Sequence, residues 1–303
     1  MRPPPPLSDI GRYPIVGGTA LLALGATIAW WSKAKLNMEA LTTGPEIALG
    51  EYWRLATSIL LHVSAYHLIF NLYWLWVFGS LIESIFGHFK MLVIILLLAV
   101  GSGAAEYAFL EGGVGLSGVG YGLFGLLWVL SRHDRRFEDV MDLNTIVLFA
   151  AWFLICIVLT QTGVMRVGNI AHGAGAVLGA ILGYAIAGPR ATRIPAAAGL
   201  AVLLVGSVAG ATIFRANLNV STYRGIAESR RGYDLLESGD NPGAEKLYRL
   251  AVKYRPADPD CWRNLGVAVH RQGRIPEAEE IWAHEQELRL RSSGPDAHGD
   301  KSD

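Results

Sequence analysis

Charged residues are scarce in this 303-residue chain. Asp, Glu, Lys and Arg make up 17% of it, against about 25% in soluble proteins. The formal net charge is zero, so there is no overall electrostatic argument for binding nucleic acid. Of the two cysteines, Cys156 lies in an apolar stretch and Cys261 in a polar one, so no disulfide framework is expected. What is abundant is apolar surface: 52% of the residues are hydrophobic and the mean hydropathy is +0.33, which indicates a membrane protein.

Seven apolar runs are long enough, or nearly so, to cross a membrane as helices. They are residues 14–31, 58–82, 91–110, 114–130, 145–159, 170–187 and 194–214. The first run could instead be a signal peptide, but Trp30, Trp31 and Lys33 make a poor cleavage region. We therefore predict an all-α polytopic membrane helix bundle of about seven spans.

The Lys and Arg residues of the short connections predict the orientation, because cytoplasmic loops carry an excess of them. With a cytoplasmic N-terminus, eight would lie on the cytoplasmic side (Arg2, Arg12, Lys90, Arg132, Arg135, Arg136, Arg190, Arg193). Five would lie on the other side (Lys33, Lys35, Arg54, Arg166, Arg215). This count favours an N-in protein. An odd number of spans then places the chain after Phe214 outside the cytoplasm.

The polar tail contains an internal repeat. Gly232, Gly239, Ala244 and Tyr248 recur 34 residues later as Gly266, Gly273, Ala278 and Trp282. A period of 34 with small residues at the helix crossings is typical of paired antiparallel helices. The pattern resembles a tetratricopeptide repeat, and such a groove suits a peptide from a protein partner. An unrelated helical hairpin is the alternative.

These observations predict five segments. They are a proline-rich tail (1–13), a six-span core (14–187), a seventh span (188–214), a small α-helical repeat domain (215–292) and a disordered end (293–303).

Strongly polar side chains within apolar runs are costly and are therefore functional candidates. They are His62, His67 and Asn71 in the second run, Glu83 at its end, Glu106 in the third, Ser117 and Tyr121 in the fourth, and His172 in the sixth. We expect Glu106 either to face a hydrated cavity or to make a structural hydrogen bond. Ser117 by itself could serve only for helix packing.

Ser117 and His172 are each in the first turn of their predicted spans, and both spans start on the outer face. Each is followed by a stripe of glycines at helical spacing: Gly118, Gly122 and Gly125, and Gly175, Gly179 and Gly183. Two such stripes allow close approach of the backbones. We expect the serine hydroxyl and the imidazole to reach hydrogen-bonding distance, with Tyr121 against the ring.

This arrangement is a nucleophile with a general base, because a serine hydroxyl attacks only when a neighbouring imidazole removes its proton. His67 and Asn71, four residues apart, would project from one helix face. With the backbone N–H of Ser117 they could stabilise an oxyanion. No carboxylate is obviously placed to orient His172, so a dyad is predicted. It needs no metal or cofactor.

The sequence resembles the rhomboid intramembrane serine proteases over residues 51–183. The motifs are Trp53-Arg54, His67-x-x-x-Asn71, Gly115-Leu116-Ser117-Gly118 with Tyr121, and Ala171-His172-x-x-Gly175-x-x-x-Gly179. The resemblance implies Ser117 as nucleophile, His172 as base, and His67 and Asn71 at the oxyanion hole. It also implies that His62 is a hydrogen-bonding residue near the site, that Arg54 organises the first outer loop, and that Glu83 braces the cytoplasmic end of the second span. A seventh span and an outward repeat tail resemble the six-plus-one bacterial members.

The resemblance implies cleavage of single-span or polytopic membrane proteins in the lipid bilayer, in a bacterial plasma membrane. Two alternatives remain. One is a non-catalytic rhomboid-like adaptor that binds membrane clients. The other is a transporter that uses His62, His67 and His172 as a metal or proton site. The spacing of five between His62 and His67 disfavours it, because residues five apart do not share a helix face.

Overall fold

The structure is a computed structural model that describes residues 3–33 and 36–292. The described residues form helices and contain no strand, which confirms the predicted all-α class. They divide into two compact units. The first comprises the residues up to Thr43 and Tyr52–Leu218, and the second comprises Gly44–Glu51 and the residues from Asn219 onward. The predicted disordered end, 293–303, lies outside the described residues.

Among its described residues, the first unit contains seven long helices. They are α1 (Pro14–Trp31), α2 (Ala65–Phe86), α3 (His88–Phe109), α4 (Ser117–His133), α5 (Leu143–Gln161), α6 (Asn169–Ala187) and α7 (Arg190–Thr212). All but α4 are at least 18 residues long and apolar enough to cross a membrane. Helix α4 has 17 residues, at the lower end of the range of about 17–25 that a span needs. The protein is therefore an integral membrane protein.

The start of the second span was predicted wrongly. Residues 58–60 form a separate 3-10 helix, and Leu61 is extended. Helix α2 begins only at Ala65, where the Ser64 side chain accepts the backbone N–H of His67 at 3.3 Å. His62 consequently lies in the segment before α2 and not within the span. The other helix ends differ from the predicted runs by four residues or fewer, because caps and turns set them as well as hydropathy.

The N-terminal segment is more ordered than a proline-rich tail suggests. Residues 3–6 have no regular structure, but Leu7–Arg12 form a 3-10 helix that leads into α1. The Trp76 indole donates to the carbonyl of Pro5 at 2.9 Å, and the Tyr13 ring packs edge-on against Trp76.

Helix α4 occupies the interior of the first unit. Val119, Leu123, Leu126, Leu127 and Leu130 on it are all fully buried. Helix α5, in contrast, exposes large apolar side chains along its length, as expected for a helix that faces lipid. The candidate nucleophile therefore lies at the start of a largely enclosed helix.

Among its described residues, the second unit contains the 3-10 helix Pro45–Leu49 and four helices, α8 (Ile226–Ser238), α9 (Asn241–Tyr254), α10 (Pro259–His270) and α11 (Ile275–Ser292). The 34-residue period has a packing cause. A side chain at Gly232 would meet the Tyr248 ring at 3.1 Å, and one at Gly266 would meet the Trp282 ring at 2.2 Å. Each glycine thus lets an aromatic residue of the paired helix pack on its backbone.

Ion pairs link the two repeats at their surface. Arg274 bonds both Glu245 and Glu277, and Arg249 bonds the same two carboxylates. Partial burial by itself raises the pKa of Glu245, but hydrogen bonds from Arg249, Gln272 and Arg274 outweigh it and hold that pKa below its usual value. This network couples the folding of the repeats to pH.

Candidate active site

Ser117 is the first residue of α4 and is half-buried. The loop before it is fixed by Gly115, whose N–H donates to the carbonyl of Ser58 at 3.0 Å. Gly115 has a φ of 117°, a conformation that side-chain-bearing residues rarely adopt. A side chain there would also meet the His67 ring at 2.5 Å. The glycine thus permits both the turn into α4 and the contact with His67.

Close backbone approach joins α4 to α6. A Cβ atom added to Gly175 would lie 2.1 Å from the carbonyl oxygen of Gly118, and one added to Gly179 would lie 1.8 Å from that of Gly122. Further along, Gly183 lies against the side chain of Val129. The contact positions advance together along both helices, so α4 and α6 run parallel. Their first turns, which carry Ser117 and His172, lie at the same end of this contact.

His172 is buried, with 3% of its surface exposed. Its ring stacks on Tyr121, with centroids 4.6 Å apart and planes inclined by 24°. The Tyr121 hydroxyl donates to the carbonyl of Phe149 at 3.1 Å, which fixes the ring that supports the imidazole. None of the hydrogen bonds among the described residues joins Ser117 to His172, so the expected bond between them stays a prediction.

His62 anchors the residue before the nucleophile. Its Nε2 accepts the backbone N–H of Leu116 at 3.3 Å, which places the ring proton on Nδ1. Nδ1 lies 3.4 Å from the Thr27 hydroxyl, which itself donates to the carbonyl of Leu60. The bonding pattern therefore fixes one tautomer, and Thr27 is a contributor that the sequence did not single out.

His62 and His67 contact each other, with ring centroids 4.8 Å apart. The prediction that these two rings lie on different faces of one helix was therefore wrong, because His62 lies before α2. Both ring nitrogens of His62 already have protein partners, so it is poorly suited to bind a metal. Within residues 3–33 and 36–292, no group of three or more His, Cys, Asp or Glu could hold a metal ion.

His67, whose ring lies beside Gly115 in the loop that leads to Ser117, and Asn71, one turn further along α2, provide buried polar atoms. Within the described part of the chain, His67 Nδ1, Asn71 Nδ2 and His172 Nδ1 are buried without a hydrogen-bond partner. Buried polar groups are nearly always bonded, so each exception calls for an explanation, and a role in a functional site is one. The Ser117 N–H adds a further donor, because the first N–H groups of a helix have no partner within it.

Glu106 is the functional candidate whose role the sequence left open. It is 4% exposed, and its carboxylate accepts the backbone N–H of Ala171 at 2.9 Å. Ala171 lies in the first turn of α6, directly before His172. A carboxylate at a helix N-terminus stabilises the unpaired N–H groups and the positive end of the dipole. Of the two expectations for Glu106, the structural hydrogen bond is the one observed.

Arg54 and Glu83, both predicted to be structural, each bond to more than one backbone group. Arg54 is buried and donates to the carbonyls of Glu39 and Thr42 at 2.8 and 3.0 Å, which ties the first loop together. Its neighbour Trp53 is 54% exposed.

Glu83, 1% exposed, accepts the N–H groups of Ile15 and Val16 at 3.0 and 2.9 Å and contacts His88. It therefore joins the end of α2 to the start of α1.

The fold and the site define a helical membrane protein with a serine and a histidine at the start of two closely packed helices. Residues 49–189 match the family description "Rhomboid domain", and residues 229–285 match "Tetratricopeptide repeat". The chain is 34% identical over 137 residues to the Rhomboid protease GlpG of Pectobacterium atrosepticum. That match covers 44% of this chain and 48% of the relative, so it spans less than half the length of either. The chain therefore contains a rhomboid domain over residues 49–189 and a tetratricopeptide-repeat region over residues 229–285.

Proposed function

We propose that the protein is an intramembrane serine endopeptidase that cleaves membrane-protein substrates by a Ser117–His172 dyad. The observation that carries this proposal is the parallel packing of α4 on α6 through glycines, with the His172 ring stacked on Tyr121. The similarity to a relative described as a rhomboid protease supports the same activity.

In the proposed reaction, His172 removes the proton of the Ser117 hydroxyl as its oxygen attacks the peptide carbonyl. The carbonyl oxygen becomes an oxyanion, which the Ser117 N–H, His67 and Asn71 stabilise. His172 then gives its proton to the leaving amine, and the peptide C–N bond breaks. Water, deprotonated by the same imidazole, hydrolyses the acyl-enzyme. Each oxyanion donor is worth about 3 kcal/mol of transition-state stabilisation in hydrolases.

We place the scissile bond near the outer membrane face, since Ser117 and His172 start their helices there in an N-in protein. A substrate helix must unwind locally to expose its carbonyls, and helix-breaking residues lower that cost. The repeats would then lie outside the cytoplasm of a bacterial plasma membrane, available to a protein partner.

The test is cleavage of a single-span substrate by the full chain in proteoliposomes. Ser117→Ala and His172→Ala should each abolish cleavage. Ser131→Ala is the matched control, because Ser131 is on the same helix but its exposed hydroxyl bonds only the carbonyl of Trp128. Full activity of either dyad variant would rule out the dyad. Binding of substrate without cleavage by the wild type would favour the non-catalytic adaptor.

A further inference from the structure

One segment of the first interhelical loop belongs to the repeat unit. Residues Gly44–Glu51 follow α1 and precede the Trp53-Arg54 motif, yet they form one compact unit with the repeats. Within that unit the 3-10 helix Pro45–Leu49 packs on α8 and α9, the two helices of the first repeat. A tetratricopeptide repeat thus holds a short peptide of its own chain.

The contact has an apolar and a charged part. Ile47 is 1% exposed, and Ala48 and Leu49 pack against the hydrophobic core of the repeats. The carboxylate of Glu46 lies 3.1 Å from the guanidinium of Arg231 on α8. A buried apolar anchor beside an ion pair is the usual pattern of specific peptide recognition.

The docked segment is short and has its own backbone hydrogen bonds, so it can bind to the repeat as one folded turn. The N–H of Ile47 donates to the carbonyl of Gly44, and the N–H of Glu51 donates to that of Glu46. Gly50 has a φ of 109° and turns the chain at the end of the 3-10 helix. The turn requires glycine or a strained residue.

The docking agrees with the number of membrane crossings. Residues 44–51 and the repeats must lie on one side of the membrane to form one unit, so an even number of spans must separate them. Helices α2 to α7 supply six. This requires α4 to cross the membrane despite its 17 residues.

The N-terminal flank of the segment contacts the loop that leads to the candidate nucleophile. The hydroxyl of Thr43, directly before the segment, donates to the carbonyl of Gly113 at 3.4 Å. A side chain at Gly112 would meet that hydroxyl at 2.2 Å. On the other flank, Arg54 bonds the carbonyl of Thr42. Within the first unit, Thr43 therefore links the first loop to residues four and five positions before Ser117.

We propose that the first repeat binds residues 44–51 as a built-in peptide ligand, and that this contact holds the first loop against the loop that leads to Ser117. The docking is independent of the activity of the protein, whereas its effect on cleavage rests on the proposed function. A protein that binds the first repeat would then act on the active site by releasing this segment.

The test is hydrogen exchange of residues 44–51 in the full chain, measured by mass spectrometry beside the cleavage assay. Arg231→Glu replaces the attraction to Glu46 by repulsion and should speed exchange of the segment about fivefold, which corresponds to a loss of about 1 kcal/mol. Ile47→Asp should speed it on the order of 100-fold, because a buried apolar anchor is lost. Arg230→Glu, the same charge change one residue away, is the control and should leave exchange unchanged.

The charge-swapped double variant Glu46→Arg with Arg231→Glu should restore slow exchange, which separates loss of the contact from misfolding of the repeats. Exchange in Arg231→Glu and Ile47→Asp equal to that of the control would overturn the docking. Fast exchange in these variants with unchanged cleavage would overturn only the coupling to the active site and would leave the docking of residues 44–51 in place. Absence of cleavage by the wild type would count against the proposed function and leave the exchange result intact.

Discussion

Replacement of Gly179 by alanine is expected to separate α4 from α6. The new Cβ would lie 1.8 Å from the carbonyl oxygen of Gly122, whereas real Cβ contacts essentially never fall below 3.0 Å. The difference, 3.0 minus 1.8, means that the helices must move apart by at least 1.2 Å. The obstacle is backbone, so no side-chain rotation can relieve it.

The separation should affect activity more than stability. His172 is on the same helix two turns before Gly179, so it would shift by a similar distance from Ser117. A misplacement of about 1 Å can cost about 100-fold in rate. Overpacking of this kind destabilises a core by roughly 1–3 kcal/mol. We therefore expect Gly179→Ala to remain folded but to cleave about 100 times more slowly.

The assay is single-turnover cleavage at saturating substrate, with thermal unfolding of the same samples. Gly120→Ala is the matched control, since Gly120 is on α4, the other helix of the pair, and a side chain there would meet nothing within 4 Å. It should retain full activity. A folded Gly179→Ala protein that cleaves within twofold of the wild type would refute the role of close helix approach in positioning His172.

Two further predictions concern buried or paired carboxylates. Glu106→Ala should destabilise the protein by roughly 1–3 kcal/mol, the cost of an unpaired buried donor, and should slow cleavage. Glu106→Gln retains an acceptor for the Ala171 N–H. It should therefore lower the thermal unfolding temperature and the cleavage rate less than Glu106→Ala does. The pKa of Glu245 is lower in the folded state than its ordinary value. The ionised carboxylate therefore stabilises the repeats above the ordinary glutamate pKa of about 4.3. This stabilisation is lost as the pH falls below that value towards the folded-state pKa. Denaturant unfolding between pH 7 and 3 should therefore show a smaller loss of stability in Glu245→Gln than in the wild type, and equal losses would contradict this.

The features that recur with a helical period were predictable from the sequence. Apolar runs of the right length identified the membrane helices, and the glycine stripes around Gly118 and Gly175 correctly predicted that α4 and α6 pack closely. The 34-residue period likewise identified the repeats. In each case the pattern and the packing have one cause, namely that a helix face repeats every three to four residues.

Contacts made by irregular segments were not predictable. His62 was assigned to a helix, so its contact with His67 and its bond to Leu116 were missed. The bond between Glu106 and Ala171 joins residues 65 positions apart, and one acidic residue in a span carries no signal of its partner. The membership of residues 44–51 in the repeat unit depends on tertiary packing alone. Nothing in the local sequence separates that segment from the rest of the first loop.

Covalent labelling by a fluorophosphonate probe tests the central claim most directly, because such a probe reacts with a serine only when a general base activates it. Mass spectrometry of the full chain in detergent should find the adduct on Ser117 in the wild type and in Ser131→Ala, and at most a trace of it in His172→Ala. Absence of an adduct on Ser117 in the folded wild type, or equal labelling of His172→Ala, would contradict the Ser117–His172 dyad.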